Sequence, residues 1–185
     1  YSTFLQRTYD QLVQDLCVNN NSAVIINHQA SVYGMNDVTH LGFFDIPMLT
    51  SIPNLVYLAP TNNEELLAMT EYAVHQHEHP VAIRVPVGEF ISTGVADTTD
   101  YSLLNKSEVT RCGEGIALLG LGNFYHLANQ VADELAKVGI NATVVNPKFA
   151  SGLDEELLKD LKVNHSVVFT LEDGVVEGGW GQRVA

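Results

Sequence analysis

Asn36-Asp37-Val38-Thr39-His40-Leu41-Gly42-Phe43-Phe44-Asp45 is the stretch around which the rest of this sequence is arranged. It lies in a predicted loop that follows one buried strand, residues 23–26, and precedes another at residues 55–58. Loops that leave the carboxyl ends of parallel strands bind ligands in α/β proteins. His40 is therefore the leading candidate for chemistry. On pattern alone, the alternative is a histidine that only hydrogen-bonds the loop together.

Apolar runs of strand length alternate with helical patterns on either side of this loop. The predicted elements of the first half are a helix at 2–18, strands at 23–26, 55–58 and 81–85, and a helix at 61–76. We expect the second helix to begin with a capping box of Thr61 and Glu64. The residues that this helix is predicted to bury are Leu66, Leu67, Thr70, Ala73 and Val74. A strand, helix and strand in succession imply right-handed parallel crossovers.

The second half repeats this alternation after a break. Residues 88–113 show no periodicity and are predicted to be a linker. The predicted elements beyond it are strands at 116–119, 140–145 and 166–171, a helix at 125–138, and a short helix capped by Ser151 or Asp154. The sequence therefore predicts an α/β fold with two doubly wound, mostly parallel-sheet domains.

Composition narrows the function classes. The 185 residues are 46% hydrophobic and carry a formal net charge of −13, which argues against nucleic acid or an anionic membrane surface as a partner. No apolar run approaches the roughly 18 residues that a membrane span needs. The two cysteines, Cys17 and Cys112, are far apart and are expected to be reduced thiols in a cytoplasmic protein.

Three further motifs have both a functional and a structural interpretation. The alternating His75, His77 and His79 could bind a metal but are also typical of a solvated helix end. The turn Gly120-Leu121-Gly122-Asn123 could hold an anion, or simply connect a strand to a helix. Glu172, at the end of a strand, could act chemically or cap the next helix. We assign no metal ligand from sequence.

Tyr1, Phe4 and Arg7 recur every three residues on one face of the first helix. An aromatic ring beside an arginine can stack a flat heteroaromatic ring and hydrogen-bond its edge. Aromatic residues at this spacing are more often part of a core, so the pattern alone leaves both interpretations open.

Several of these strings, in order, resemble one family over nearly the whole chain. They are Tyr1-Ser2-Thr3-Phe4-Leu5-Gln6-Arg7, the loop ending at Asp45, Ala82-Ile83-Arg84-Val85-Pro86, residues 146–153, and Thr170-Leu171-Glu172-Asp173. The loop is similar to an Asp-Gly-x-Thr-His-x-Gly-x-Phe-Asp motif. Together the strings resemble 1-deoxy-D-xylulose-5-phosphate synthases, a branch of the transketolase-like thiamine diphosphate enzymes.

The resemblance implies two domains and a reaction. Residues 1–100 would be a transketolase-like pyrimidine-binding domain, truncated at its N-terminus, with the linker, and residues 101–185 part of a transketolase C-terminal domain. The family decarboxylates pyruvate and transfers the two-carbon unit to an aldehyde in isoprenoid biosynthesis, using thiamine diphosphate and Mg²⁺, as a homodimer. Its catalytic Glu would lie upstream of Tyr1, and another domain would hold the diphosphate and Mg²⁺, so the resemblance implies that this chain alone is inactive.

The resemblance also assigns roles to residues of this sequence. Phe4 would stack on the aminopyrimidine of the cofactor, with Tyr1 and Arg7 beside it. His40 would be catalytic, relaying protons and hydrogen-bonding the substrate carbonyl. The substrate-binding positions implied by the motif are Gln29, Asn36 and Thr39.

Two departures from the family pattern concern the acceptor substrate. The family has Asp-Arg where this chain has His28-Gln29, and a second Arg where this chain has Val87. Loss of both guanidinium groups removes bidentate phosphate contacts and argues against a phosphorylated triose. Two alternatives therefore remain: a non-catalytic paralogue that acts as a binding or regulatory partner, and a β-type subunit of a 2-oxo-acid dehydrogenase.

Overall fold

The computed structural model describes residues 1–32 and 38–185, and its strands form two sheets. The strands are β1 (Val24–His28), β2 (Val56–Leu58), β3 (Val81–Val85), β4 (Glu108–Arg111), β5 (Gly115–Gly120), β6 (Thr143–Asn146) and β7 (His165–Leu171). The α-helices are α1 (Ser2–Leu5), α2 (Tyr9–Gln11), α3 (Asp45–Thr50), α4 (Asn63–His75), α5 (Phe124–Lys137), α6 (Glu155–Asn164) and α7 (Trp180–Val184).

Both sheets are dominated by parallel pairing, as the sequence predicts. The first has the order β1-β3-β2 and is parallel throughout, because α4 carries the chain from β2 back to β3. The second has the order β4-β6-β5-β7, in which β5 pairs in parallel with β6 and β7. β4 pairs antiparallel with β6 inside the segment predicted to be a linker. This strand was not predicted because three of its four residues are exposed, so its sequence has no apolar alternation.

The N-terminal helix is helical over the predicted range but changes pitch. Between α1 and α2 lies a 3₁₀ turn, Gln6–Thr8, where the Thr8 hydroxyl donates to the Leu5 carbonyl at 2.7 Å. A π-helical segment, Leu12–Cys17, follows α2. Its wider turn brings Leu12 and Cys17, five residues apart, onto the same core-facing side.

Helix α4 begins one residue later than the predicted capping box. The N-cap is Asn62, whose side-chain oxygen accepts from the Glu65 N–H at 2.8 Å. Glu65, not Glu64, reaches back and accepts from the Thr61 N–H at 2.7 Å. Glu64 instead accepts hydrogen bonds from Ser92 and the 93–94 backbone, and these lower its pKa to about 2.

The register of α4 also corrects its predicted buried face. Leu67 and Val74 are 70% and 55% exposed, so the prediction that they are buried was wrong. Met69 faces the core instead, and Ala73 is buried as predicted. The helix is oriented by Glu65, which is buried because it pairs with groups of the second sheet, a contact that local periodicity does not reveal.

The two sheets share a core. The largest cluster of buried apolar side chains combines residues of both, among them Tyr57 and Ala82 from the first sheet and Leu119 and Val145 from the second. The chain after β2 continues the contact, because the Ala59 N–H donates to the carbonyl of residue 148 at 2.8 Å. The loop that carries His40 therefore lies on a scaffold to which both sheets contribute.

Candidate functional site

Three aromatic rings from the N-terminal helix and the 38–44 loop meet at one point. The ring of His40 lies edge-on to Phe4, at a centroid distance of 5.3 Å and an interplanar angle of 90°. It is also edge-on to Tyr1, at 5.8 Å and 88°. The Tyr1 and Phe4 rings are 5.1 Å apart. The sequence stretch at residues 1–7 and the His40 loop, far apart along the chain, thus form one surface.

This surface borders an open cavity of about 590 Å³. The side chains around it are Thr3, Phe4, Gln6, Arg7, Thr39 and His40. The Thr39 hydroxyl lies 2.8 Å from His40 Nδ1, which fixes the orientation of the imidazole ring. Phe4 is 48% exposed, so its ring is open to the cavity rather than packed in the core. The interpretation of Phe4 as a core residue is therefore wrong, and its stacking on a heteroaromatic ring stays a prediction.

The loop is held against the N-terminal helix and against the backbone that follows β1. The Thr3 hydroxyl donates to the Thr39 carbonyl at 3.0 Å, and the Ser2 hydroxyl to the Gly42 carbonyl at 3.4 Å. Gly42 is buried and faces the carbonyl oxygen of Gln29, which a Cβ at position 42 would approach to 1.9 Å. Only glycine leaves room for this contact.

We expect Gly42→Ala to destabilise the fold by about 1–3 kcal/mol, because the new methyl group meets backbone that cannot turn aside. Urea unfolding followed by circular dichroism measures this loss. Gly174→Ala is the matched control, since a Cβ there meets its nearest atom, Ile46 Cδ1, at an ordinary 3.5 Å. Equal stability of the two variants would contradict the close approach of Gly42 to Gln29.

A buried ion-pair centre lies behind the loop. Arg84, the fourth of the five residues of β3, is 2% exposed. Its Nε donates to Asp45 Oδ2 at 2.7 Å, its Nη1 donates to Asp173, and its Nη2 donates to the Asp173 carbonyl at 3.1 Å. Burial acts to lower the pKa of Arg84, but the carboxylates of Asp45 and Asp173 outweigh it and raise that pKa. The guanidinium therefore stays charged.

Further polar groups complete this centre. The Ser31 hydroxyl donates to Asp173 Oδ2 at 2.6 Å, and the Asn123 amide to the same oxygen at 3.1 Å. Tyr57 donates its hydroxyl proton to Asp45 and accepts from the Asn27 amide at 2.8 Å. Burial, followed by the Asp45 charge, raises the pKa of Tyr57 well above its usual value, so the phenol remains a donor.

A second buried polar centre joins the two sheets elsewhere. Lys148, 3% exposed, donates to the Thr99 hydroxyl at 2.6 Å and lies 2.9 Å from the Glu108 carboxylate. Its Nζ is also 3.6 Å from Glu65, which accepts from the Asn146 amide at 2.7 Å. None of these contacts involves a residue of the 38–44 loop.

The structure places the remaining sequence-predicted residues as follows. Gln29, in a left-handed conformation with φ of 59°, contacts the loop through its backbone, and a substrate contact of its side chain stays a prediction. Asn36 lies outside the described residues. The grouping of Asp45, Arg84 and Asp173 was not predicted from the sequence. The signal was present in Arg84, a charge within the apolar run of β3.

Glu172 and His75, which had both a functional and a structural interpretation, form hydrogen bonds within the fold. Glu172 caps α7 by accepting from the Trp180 N–H at 2.8 Å, and burial raises its pKa. His75 Nδ1 lies 2.8 Å from the Glu71 carbonyl.

Within residues 1–32 and 38–185, no group of three or more His, Cys, Asp or Glu side chains is arranged to hold a metal ion. No helix in the described part of the chain is both long and apolar enough to cross a membrane.

Comparison with protein families agrees with the transketolase-like resemblance of the sequence motifs. The family described as the transketolase pyrimidine binding domain matches residues 1–91, and the transketolase C-terminal domain matches residues 105–185. The chain belongs to the transketolase family. Its relatives include the 1-deoxy-D-xylulose-5-phosphate synthases of Acaryochloris marina (39% identical over 185 residues) and Lachnoclostridium phytofermentans (38% over 185 residues), in each case over 100% of this chain and 29% of the relative.

A solved structure shows the same transketolase fold. It is described as a split gene transketolase in an inactive β4 tetramer, and it matches with a TM-score of 0.84 at 23% identity. The match covers 100% of this chain and 59% of the other. With respect to the curated relatives that it matches, this chain spans less than a third of their length.

Proposed function

We propose that this chain forms part of a thiamine-diphosphate-dependent transferase close to 1-deoxy-D-xylulose-5-phosphate synthase, which decarboxylates pyruvate and transfers the two-carbon unit to an aldehyde. The observation that carries the proposal is the meeting of Tyr1, Phe4 and His40 beside a cavity that Arg7 also lines. A flat apolar ring face, a guanidinium and an imidazole are the groups that a heteroaromatic cofactor and a carbonyl substrate need.

The exposed face of Phe4 fits the aminopyrimidine ring of thiamine diphosphate, and Tyr1 and Arg7 flank that face. When bound, the cofactor supplies the nucleophilic carbon for attack on a 2-oxo acid. His40 donates or accepts a proton at the substrate oxygen, with its ring oriented by Thr39. Gln29 and Asn36 are proposed to contact the substrate. We assign Mg²⁺ and the diphosphate group to a domain other than these two.

We further propose that the pyrimidine-binding and C-terminal domains occupy residues 1–100 and 101–185, and that the protein is a cytoplasmic homodimer. The free thiols of Cys17 and Cys112 support a reducing compartment.

We propose an acceptor aldehyde without a phosphate group. Gln29 and Val87 stand where the family resemblance implies two phosphate-binding arginines. An amide and an isopropyl group cannot replace two charge-assisted bidentate contacts. The same two positions favour a second candidate function, a non-catalytic paralogue that has lost its substrate contacts and acts as a binding partner.

Thiamine diphosphate binding separates the two candidates. We expect calorimetric titration of the protein as encoded by its gene, with Mg²⁺ present, to show saturable binding. Phe4→Ala should raise the Kd roughly tenfold, because one stacked ring contributes about 1–3 kcal/mol. Phe169→Ala is the control, since this β7 residue is similarly exposed (52%) and does not line the cavity. Absence of binding would favour the non-catalytic paralogue.

A further inference from the structure

Both ends of the segment that carries His40 are hydrogen-bonded to the buried ion-pair centre described above. This Arg84 centre consists of Arg84, Asp45 and Asp173. Ser31 precedes the segment and donates its hydroxyl proton to Asp173 Oδ2 at 2.6 Å. Asp45 follows it and accepts from Arg84 Nε at 2.7 Å. Ser31, Asp45, Arg84 and Asp173 are each no more than 3% exposed. A single buried centre therefore fixes both ends of the segment.

The members of this centre come from distant parts of the chain. Arg84 belongs to the first sheet, whereas Asp173 follows the last strand of the second. Asp173 bonds both to the Ser31 end, directly, and to the Asp45 end, through Arg84. It is 142 residues from Ser31 along the sequence. Asp173 thus connects the second sheet to the loop that borders the cavity.

Fixing the two ends of a loop reduces the number of conformations that it can adopt. The loop itself is held separately, by the Thr3 hydroxyl on the Thr39 carbonyl and by the close approach of Gly42 to the Gln29 carbonyl. These contacts hold residues within the loop, whereas the buried centre holds Ser31 and Asp45, which flank it. A loop that is held both at its ends and within it keeps its side chains in the orientation that proton transfer requires.

We propose that Asp173 is a positioning residue for His40, through Ser31 and Arg84, and that it couples the C-terminal part of the chain to the site. That Asp173 holds the loop carrying His40 depends only on contacts within this chain. Its consequence for turnover rests on the proposed function of His40.

Hydrogen exchange and kinetics on the protein as encoded test this proposal. In Asp173→Asn and in Ser31→Ala we expect amide exchange in residues 38–44 to accelerate about tenfold or more, with exchange in β5 much less affected. We also expect kcat for pyruvate consumption to fall by a factor of about five or more. The Kd for thiamine diphosphate should change by a smaller factor than kcat, because neither substitution alters a contact that the structure gives for Phe4 or Arg7.

Glu65→Gln is the matched control, because it also neutralises a buried carboxylate between the two sheets but in the Lys148 centre. It should lower stability without accelerating exchange in residues 38–44. If Asp173→Asn does not fold, Ser31→Ala alone decides, since it removes one hydroxyl group. Unchanged loop exchange in the folded variants would overturn the proposal. If the wild-type protein shows no turnover but the variants show accelerated loop exchange, the proposed reaction is refuted. The role of Asp173 in holding the loop is then still supported.

Discussion

Replacing His40 with alanine in the protein as encoded is expected to lower kcat at least tenfold, and general acid–base groups commonly contribute about 10²–10⁴-fold. The imidazole borders the cavity, edge-on to Phe4, and its Nδ1 contacts the Thr39 hydroxyl. Its ring is only partly buried, so its loss removes chemistry from the site rather than support from the core. Steady-state rates with pyruvate and a series of non-phosphorylated aldehydes measure the effect.

His75→Ala is the control for this experiment, because that exposed ring lies on α4 and contacts the Glu71 carbonyl. Its rate should equal that of the wild type. Unfolding of the His40→Ala variant should also match the wild type, which separates a catalytic loss from a folding loss. A near-normal kcat in His40→Ala would leave His40 with a structural role only.

Arg84→Met is expected to cause the largest loss of stability, about 3–5 kcal/mol. Methionine preserves much of the side-chain volume but leaves the carboxylates of Asp45 and Asp173 buried without their cation. Desolvated charges of this kind are costly, because the interior provides nothing to replace the missing partner. The free energy of unfolding from urea denaturation, wild type against variant, gives the number.

The surface pair of Arg111 and Asp133 provides the comparison. Their side chains are 37% and 65% exposed at an N–O distance of 2.6 Å. Arg111→Met should cost less than about 1 kcal/mol, since water already solvates both groups. If Arg84→Met lost no more stability than Arg111→Met, the Arg84 centre would not hold the two sheets together.

Local patterns predicted the elements whose signals are local. The bounds of β3 are those of its apolar run, and α5 differs by one residue at each end from the predicted helix 125–138. Gly139 ends α5 with a φ of 84°, the conformation that glycine supplies after a helix. In contrast, β4 is an exposed edge strand without apolar alternation, and the start of α4 depends on Glu65, which bonds to a distant strand.

The candidate site was predictable only in part, for the same reason. The family resemblance implied that Phe4 and His40 face one cofactor, and the structure places their rings 5.3 Å apart. A charged Arg84 in an apolar strand is a signal for buried carboxylates nearby, although none was predicted from it. It could not indicate which ones, because Asp45 is 39 residues away and Asp173 is 89. Pairing over such separations is decided by the packing of the two sheets.

The most direct test of the central claim is a crystal structure of the protein as encoded, grown with thiamine diphosphate and Mg²⁺. Our account predicts the aminopyrimidine ring against Phe4 at a van der Waals distance of about 3.5–4.0 Å, with the His40 imidazole on the substrate side of the thiazolium ring. A cofactor bound elsewhere, with the space between Arg7 and His40 filled only by solvent, would contradict it.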